Sequence, residues 1–289
     1  MKPAVFHHVA PTTIDEVLSL LSEHAPDARI LAGGQSLVPL MNFRLSCPSI
    51  LIDLNHVQDL AYTRDDGEAL AIGAMTRERT IENSDLVRQA VPLLHEATSY
   101  IAHLPIRSRG TIGGSLANAD PAAEYPAVSV ALDCHMVIWS ARGERRVRAR
   151  DFFVGVLTTA MEPDELLVEI LVPKAPPRSG SVFVEIARRH GDFALAGIAA
   201  QITYSGDDVV AVHMAACGVG PGPVKLSAAE DIIMRDGLNE VTAKRAAKAA
   251  ADEVDPSSDL HATAGYRRHL TGIMASRALL RAGERARGH

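Results

Sequence analysis

The apolar positions along the first fifty residues change period twice. "FHHVA" is short and extended. "PTTIDEVLSLLSEH" places Val17, Leu18, Leu20 and Leu21 at helical spacing behind a hydroxyl cap at Thr12 or Thr13 and an acidic first turn. "ARILAGG" is an apolar strand that stops at Gly33-Gly34, and "SILIDLN" is a second buried strand. Strand, helix, strand in so few residues predicts a small α/β unit. Beyond residue 57, "ALAIGAMTR" reads as a strand, and "TIENSDLVRQAVPLLHEATSYIA" as helix interrupted near Pro92. "PAVSVALDCHMVIWSARGERRVRARDFF" reads as a helix or strand followed by a hairpin turning at Arg142-Gly143, and "LLVEILVP" as another strand.

The Pro- and Gly-rich stretch "PKAPPRSGS" (173–181) predicts a linker. After it, "VFVEIARR", "ALAGIAAQITYS" and "VVAVHMAACGVG" predict three antiparallel strands, two of them joined at Ser205-Gly206-Asp207. "LSAAEDIIMRDG", "NEVTAKRAAKAAADEV" and "AGYRRHLTGIMASRALLRAGERAR" predict helices over that sheet. The expected division is 1–56, 57–175 and 176–289, with no solenoid repeat.

Composition narrows the function classes. A net charge of −6 gives no sign of a nucleic-acid partner. No apolar run approaches the ~18 residues that span a bilayer, and the N-terminus lacks the apolar core of a secretion signal, so a cytoplasmic location is expected. Cys47, Cys134 and Cys217 are odd in number and far apart. That argues against a disulfide framework, a zinc site or an iron–sulfur cluster, and each cysteine reads as a small buried hydrophobe. The adjacent His7 and His8 read as exposed strand residues rather than metal ligands.

Two stretches carry chemistry. "LAGGQSLVPLMNFR" and "RSRGTIGGSLANADPAAEYPA" each set a Gly-Gly pair beside a serine. Where Cβ atoms are missing, successive backbone N–H groups can converge on an anion, and Ser36 and Ser115 add hydroxyl donors. One such loop fits a tight turn equally well. Two together point to a pyrophosphate held from both sides, hence a dinucleotide. Neither has the spacing of a Rossmann fingerprint, and in "GVGPGPVK" (218–225) Pro221 and Pro223 oppose the helix such a fingerprint needs, so a rigid loop is expected there. No P-loop is present.

These two motifs together resemble the FAD-binding medium subunit of the molybdenum hydroxylases. That group includes the carbon monoxide dehydrogenase flavoprotein, the flavin region of xanthine dehydrogenase, and subunits acting on nicotine, caffeine and similar heterocycles. "RRHGDFALAGIAA" (188–200) and "GYRRHLTGIMASRALL" (265–280) look like signatures of the family's C-terminal domain, so the resemblance covers nearly the whole chain. It implies an α+β fold of the vanillyl-alcohol-oxidase (PCMH) type: two FAD-binding subdomains plus a C-terminal α+β domain with a small antiparallel sheet and helices, resembling that of the carbon monoxide dehydrogenase flavoprotein.

By the same carry-over, Leu31, Ala32, Gly33, Gly34, Gln35, Ser36 and Leu37 hold the pyrophosphate with main-chain amides. Thr111, Gly113, Gly114 and Ser115 form a second wall. Ile101 and Ala102, followed by His103, line the flavin or adenine side. Asn118, Asp120 and Glu124 are polar candidates for the ribityl, ribose or flavin edges. Leu166 packs on the adenine, and Phe193 stands where an aromatic ring can stack near the isoalloxazine.

Several of these have plainer readings. Asp120 before Pro121 suits a turn start. Glu124 suits a solvated helix start. Phe193 suits a core position, and His103 a satisfied, partly buried histidine. The basic run "ARGERRVRAR" (141–150) is either a solvated hairpin or a docking surface for an acidic partner. The basic C-terminal segment reads as an amphipathic helix with a charged outer face.

Gln35 and Ser36 stand where some flavoproteins of this broad fold carry a histidine that attaches the flavin, so dissociable FAD is expected. The resemblance implies an electron-transfer oxidoreductase subunit. The molybdenum cofactor and two [2Fe–2S] clusters would reside on a large and a small partner subunit, in a dimer of heterotrimers. No catalytic acid, base or nucleophile is expected in this chain, and the substrate leans towards an N-heterocycle such as a purine alkaloid or nicotine. NAD, a quinone, a cytochrome and oxygen all remain open as final acceptor. The alternatives are a stand-alone flavin oxidase or reductase of the same fold, and a non-redox nucleotide-binding module.

Overall fold

In a computed structural model that describes residues 2–288, the chain forms three main sheets separated by helical layers. The first unit runs β1 (His7–Val9), α1 (Ile14–His24), β2 (Ala28–Leu31), α2 (Leu37–Asn42) and β3 (Ile50–Asp53), with a parallel sheet in the order β1-β3-β2. Thr13 is the cap of α1: its hydroxyl accepts from the Glu16 amide, and the Glu16 carboxylate accepts from the Thr13 amide.

The second unit comprises β4 (Thr63–Asp66), β5 (Ala69–Gly73), α3 (Glu78–Glu82), α4 (Asp85–Ala90), α5 (Pro92–Thr98), α6 (Leu104–Arg107), α7 (Ile112–Asn118) and α8 (Glu124–Ala131). Next come β6 (His135–Ser140), β7 (Gly143–Arg148), α9 (Ala149–Phe152), β8 (Phe153–Gly155), β9 (Thr158–Thr159) and β10 (Leu166–Pro173). Its five-stranded sheet has the order β4-β5-β10-β6-β7, and β8 pairs with β9 alone. The helical stretch breaks where proline demands it: Pro92 occupies the first turn of α5, where its missing N–H costs nothing.

The third unit holds β11 (Ser179–Ile186), β12 (Ala196–Ser205), β13 (Asp208–Cys217), β14 (Val224–Lys225), α10 (Ser227–Asp236), α11 (Glu240–Glu253) and α12 (Ala264–Arg287). Its sheet is antiparallel in the order β11-β12-β13-β14, with the β12–β13 turn at Gly206. Residues 218–223 form the expected loop, ahead of β14.

Alternation along the strands decides the layering. On β12, Ile198, Ala200 and Ile202 pack against α10, α11 and α12, while Ala199 faces the core built from α5, α7 and α8. β11 repeats the division, with Val182 and Val184 on one side and Phe183 on the other. The five-stranded sheet is likewise buried twice: Val137 and Val168 pack beneath α1 and β3, while Met136, Ile138 and Ile170 join the central helical core. The molecule is therefore a stack in which each large sheet serves two cores.

Cys134 and Cys217 are buried as expected. Cys47 is exposed, because it falls in the loop after α2 rather than in a strand. The basic hairpin β6–β7 is mostly self-neutralised: Arg142 pairs with Asp164, Arg145 with Glu165 at 2.6 Å, Arg146 with Glu144, and Arg148 and Arg150 with Asp133. That favours the solvated-hairpin reading over an acidic docking partner.

Candidate functional site

The first glycine loop leaves β2 and enters α2. Gly34 has a φ of +74°, a left-handed conformation that favours glycine at this turn. The Gln35 side-chain amide donates to the carbonyl of Gly33 at 2.9 Å and ties the turn to itself. Among the described residues, no carbonyl or side chain accepts from the backbone amides of Gly33, Gly34, Gln35, Ser36 or Leu37. Five successive amides without internal partners remain available to an anion. Ser36 is exposed and makes no capping bond, which leaves its hydroxyl free.

The second loop is built differently. Thr111 caps α7, and its hydroxyl accepts from the Gly114 amide at 3.1 Å. The Gly113 amide donates to Ala74 at 2.9 Å, and the Ser115 amide to Thr111 at 3.0 Å. Most of these amides are thus spent internally, and the segment acts as a rigid wall. α7 ends on Ala119 in the left-handed region, φ 51°, which turns the chain from the half-buried Asn118 to Asp120. Asp120 does form a turn: its carboxylate accepts from the Ala122 amide at 2.9 Å.

The two loops touch. A Cβ on Gly33 would collide with the carbonyl oxygen of Arg109 and stand 2.8 Å from the Cα of Gly110. A Cβ on Gly114 would stand 3.4 Å from that of Ala32. The glycines therefore serve close approach of one loop to the other as well as exposure of amides.

Ile101 and Ala102 form a turn beside this junction, with Ala102 at φ 39°. The buried Arg107 guanidinium holds it, donating to the carbonyls of Ile101 at 2.7 Å and Ala102 at 3.2 Å. Its other face forms a two-point pair with Glu82, both bonds 3.0 Å. His103 is exposed rather than partly buried. Gly191 of the third unit lies on it: a Cβ there would stand 2.7 Å from the carbonyl oxygen of Ala102 and 2.6 Å from His103 Nδ1. The segment between β11 and β12 thus comes down on the rim of the site. Phe193, in that segment, is 68% exposed, which rules out the core reading. Leu166 is the outlier: its side chain is buried in the core with Val17, Ile52 and Val137.

Glu124 opens α8 but is only 7% exposed, so it is no solvated helix start. Burial, with Asp120 nearby, pushes its carboxyl up to about 7; its own amide opposes the shift. Glu78 is 4% exposed and Oε2 has no hydrogen-bond partner. Its carboxyl occupies the space that a side chain on Gly110 would need. Burial first and Glu124 second raise it to about 8, against Arg107 and Arg77. Glu185 on β11 is raised to about 8 for the same two reasons, and one of its oxygens is also buried without a partner. Sequence reading missed Glu78, Glu82, Glu185 and Arg107, since nothing local marks a charged residue whose partner lies twenty-five positions away.

The chain is similar to known proteins over nearly its whole length. Residues 4–175 match the FAD binding domain in molybdopterin dehydrogenase, and residues 181–282 match the carbon monoxide dehydrogenase flavoprotein C-terminal domain. The chain is 41% identical to the 6-hydroxypseudooxynicotine dehydrogenase complex subunit alpha of Paenarthrobacter nicotinovorans, over 99% of this chain and 97% of that one. It is 40% identical, over the same shares, to the caffeine dehydrogenase subunit beta of Pseudomonas sp. (strain CBB1). A chain of the carbon monoxide dehydrogenase of Hydrogenophaga pseudoflava, in a form lacking the Mo-pyranopterin moiety, superposes with a TM-score of 0.97 at 37% identity, covering 99% of both chains.

Proposed function

This chain belongs to the family of FAD-binding medium subunits of the molybdenum hydroxylases, and from that premise we propose that it relays electrons from [2Fe–2S] clusters on a small partner subunit to an external acceptor. It is an oxidoreductase flavoprotein subunit with the FAD-binding fold of the molybdenum dehydrogenases. Its partners are a large molybdenum-cofactor subunit and a small iron–sulfur subunit, in a dimer of heterotrimers. Among the described residues no helix is long and apolar enough to cross a membrane, and the proposed location is the cytoplasm.

The observation that carries the reading is the run of five unpartnered amides, Gly33 to Leu37, pressed against a second loop through Gly33. That cradle fits the pyrophosphate of a dinucleotide. When bound, FAD supplies the exchange between one-electron carriers and a two-electron acceptor.

The chain's own residues bind, orient and shield. The amides after Leu31 and Ala32 hold the phosphates, with the Ser36 hydroxyl beside them. Thr111, Gly113, Gly114 and Ser115 form the rigid wall. Arg107 fixes the Ile101–Ala102 turn, and the segment carrying Phe193 meets the exposed His103 through Gly191. Asn118, Asp120 and Glu124 offer polar groups to the cofactor's edges. Leu166 does not pack on the adenine in this arrangement, because its side chain is enclosed in the core with Val17, Ile52 and Val137. No residue at histidine's place in the first loop can form a covalent flavin link, so FAD is held non-covalently. The units 1–56 and 57–175 clamp the cofactor, and 176–289 closes over it.

The substrate we propose is an N-heterocycle, transformed on the large subunit. The nitrogen-containing substrates in the names of the nicotine- and caffeine-related relatives support that choice. The test is purification of the untagged chain from its host. Co-purification with a molybdenum-bearing large chain and an iron-bearing small chain is expected. A monomer that turns over a small substrate alone would instead establish the stand-alone flavoenzyme.

A further inference from the structure

Two side chains outside the glycine motifs join the two loops. Asn55 follows β3, where the Asp53 carboxylate accepts from its backbone amide at 2.9 Å. Its side-chain Nδ2 donates to the carbonyl of Ala32 at 3.1 Å. Arg77, after β5, donates from one terminal nitrogen to Asn55 Oδ1 and from the other to the carbonyl of Arg109. Each loop therefore surrenders one carbonyl to the same two-residue bridge, at the point where Gly33 packs on Arg109.

This arrangement has two consequences. The N–H and C=O of a trans peptide point in opposite directions, so seating Ala32 on Asn55 turns the Gly33 amide away from it. That amide is the first of the five without a partner. The bridge also places charge behind the loops. The half-buried Arg77 lies near Arg109, and the Asp53 carboxylate also faces it. The other acidic group facing Arg77, Glu78, has its carboxyl raised to about 8. A guanidinium whose donors are spent on carbonyls still projects its field, most strongly where water is scarce.

We propose that Asn55 and Arg77 are positioning residues of the dinucleotide site, setting the separation of the two loops and, through Arg77, supplying the positive charge that favours a pyrophosphate there. This inference rests on the flavin-binding reading above.

The experiment strips FAD from the assembled complex and titrates it back at two or more salt concentrations, for wild type, Arg77→Gln, Arg77→Lys and Asn55→Ala. Thermal midpoints of the stripped complexes are measured alongside. Arg77→Gln is expected to weaken FAD binding by about tenfold or more and to flatten its salt dependence. Arg77→Lys keeps the charge but not the fork, so it should keep the salt dependence with a smaller loss of affinity. Asn55→Ala should weaken binding while leaving the salt dependence unchanged. Wild-type affinity in all three variants, or losses that merely track the thermal midpoints, would overturn the inference alone. A stripped wild-type complex that takes up no FAD would overturn the flavin reading and the inference with it.

Discussion

The Cα of Gly33 lies against the carbonyl oxygen of Arg109, so the two glycine loops are in backbone contact rather than facing each other across open space. Gly33→Ala would force a methyl into backbone that cannot yield as a flexible side chain can. We expect a stability loss of about 1–3 kcal/mol, typical of overpacking, and a larger loss of bound flavin. The flavin-to-protein absorbance ratio and a denaturant midpoint on the same preparation check both. Full flavin content in the variant would contradict the loop contact.

Arg107 and Glu82 form a largely enclosed pair that also holds the Ile101–Ala102 turn. Removing Arg107 frees the carbonyls of Ile101 and Ala102 and leaves the Glu82 carboxylate with Arg79 alone, at 2.9 Å. Arg107→Ala should therefore cost about 1–3 kcal/mol, as for buried hydrogen-bonding groups that lose a partner. Glu82→Gln, which keeps acceptor and shape, should cost less. Denaturant unfolding of the two variants separates the outcomes. If Arg107→Ala is as stable as wild type, the pair is not what holds the turn.

Ionisation of Glu78 and Glu185 sets the expected pH dependence. Both carboxyls are raised from an ordinary 4.5 to about 8 in the folded chain. The folded state therefore binds more protons than the unfolded state between those values, and stability falls as pH rises through that window. The contribution is fully present below about 4.5 and gone above about 8. Glu78→Gln should flatten the fall and raise stability at pH 8 relative to wild type. Chemical denaturation across pH 5–9 measures this, and an unchanged slope would show that Glu78 is already ionised.

Phe193 is exposed on the segment that meets His103. Phe193→Ala should change stability by less than about 0.5 kcal/mol, as for an ordinary surface site, while shifting the flavin absorption bands. A large drop in thermal midpoint with unaltered bands would return the residue to a packing role.

The fold was legible where periodicity changed sharply. The apolar strand that ends at Gly33-Gly34, the break at Pro92 and the turn at Gly206 all follow from local chemistry. The site was half legible. The loops announced themselves by composition, but the residues that brace them did not. Asn55 and Arg77 stand 23 and 32 positions from the carbonyls they bind, and only the sheet order brings them together. Glu124 misled for a related reason. A glutamate at a helix start normally faces water, yet here the third unit's sheet closes over α8 and buries it. Cys47 failed in the opposite direction, being apolar by type and exposed by its place in a loop.

The central claim is that this chain holds dissociable FAD, and the most direct measurement is the flavin released when the intact native complex is denatured and its chains are separated. FAD recovered free in solution, equimolar with this chain, is the expected result. No flavin, or flavin that stays attached to the denatured polypeptide, would contradict the account.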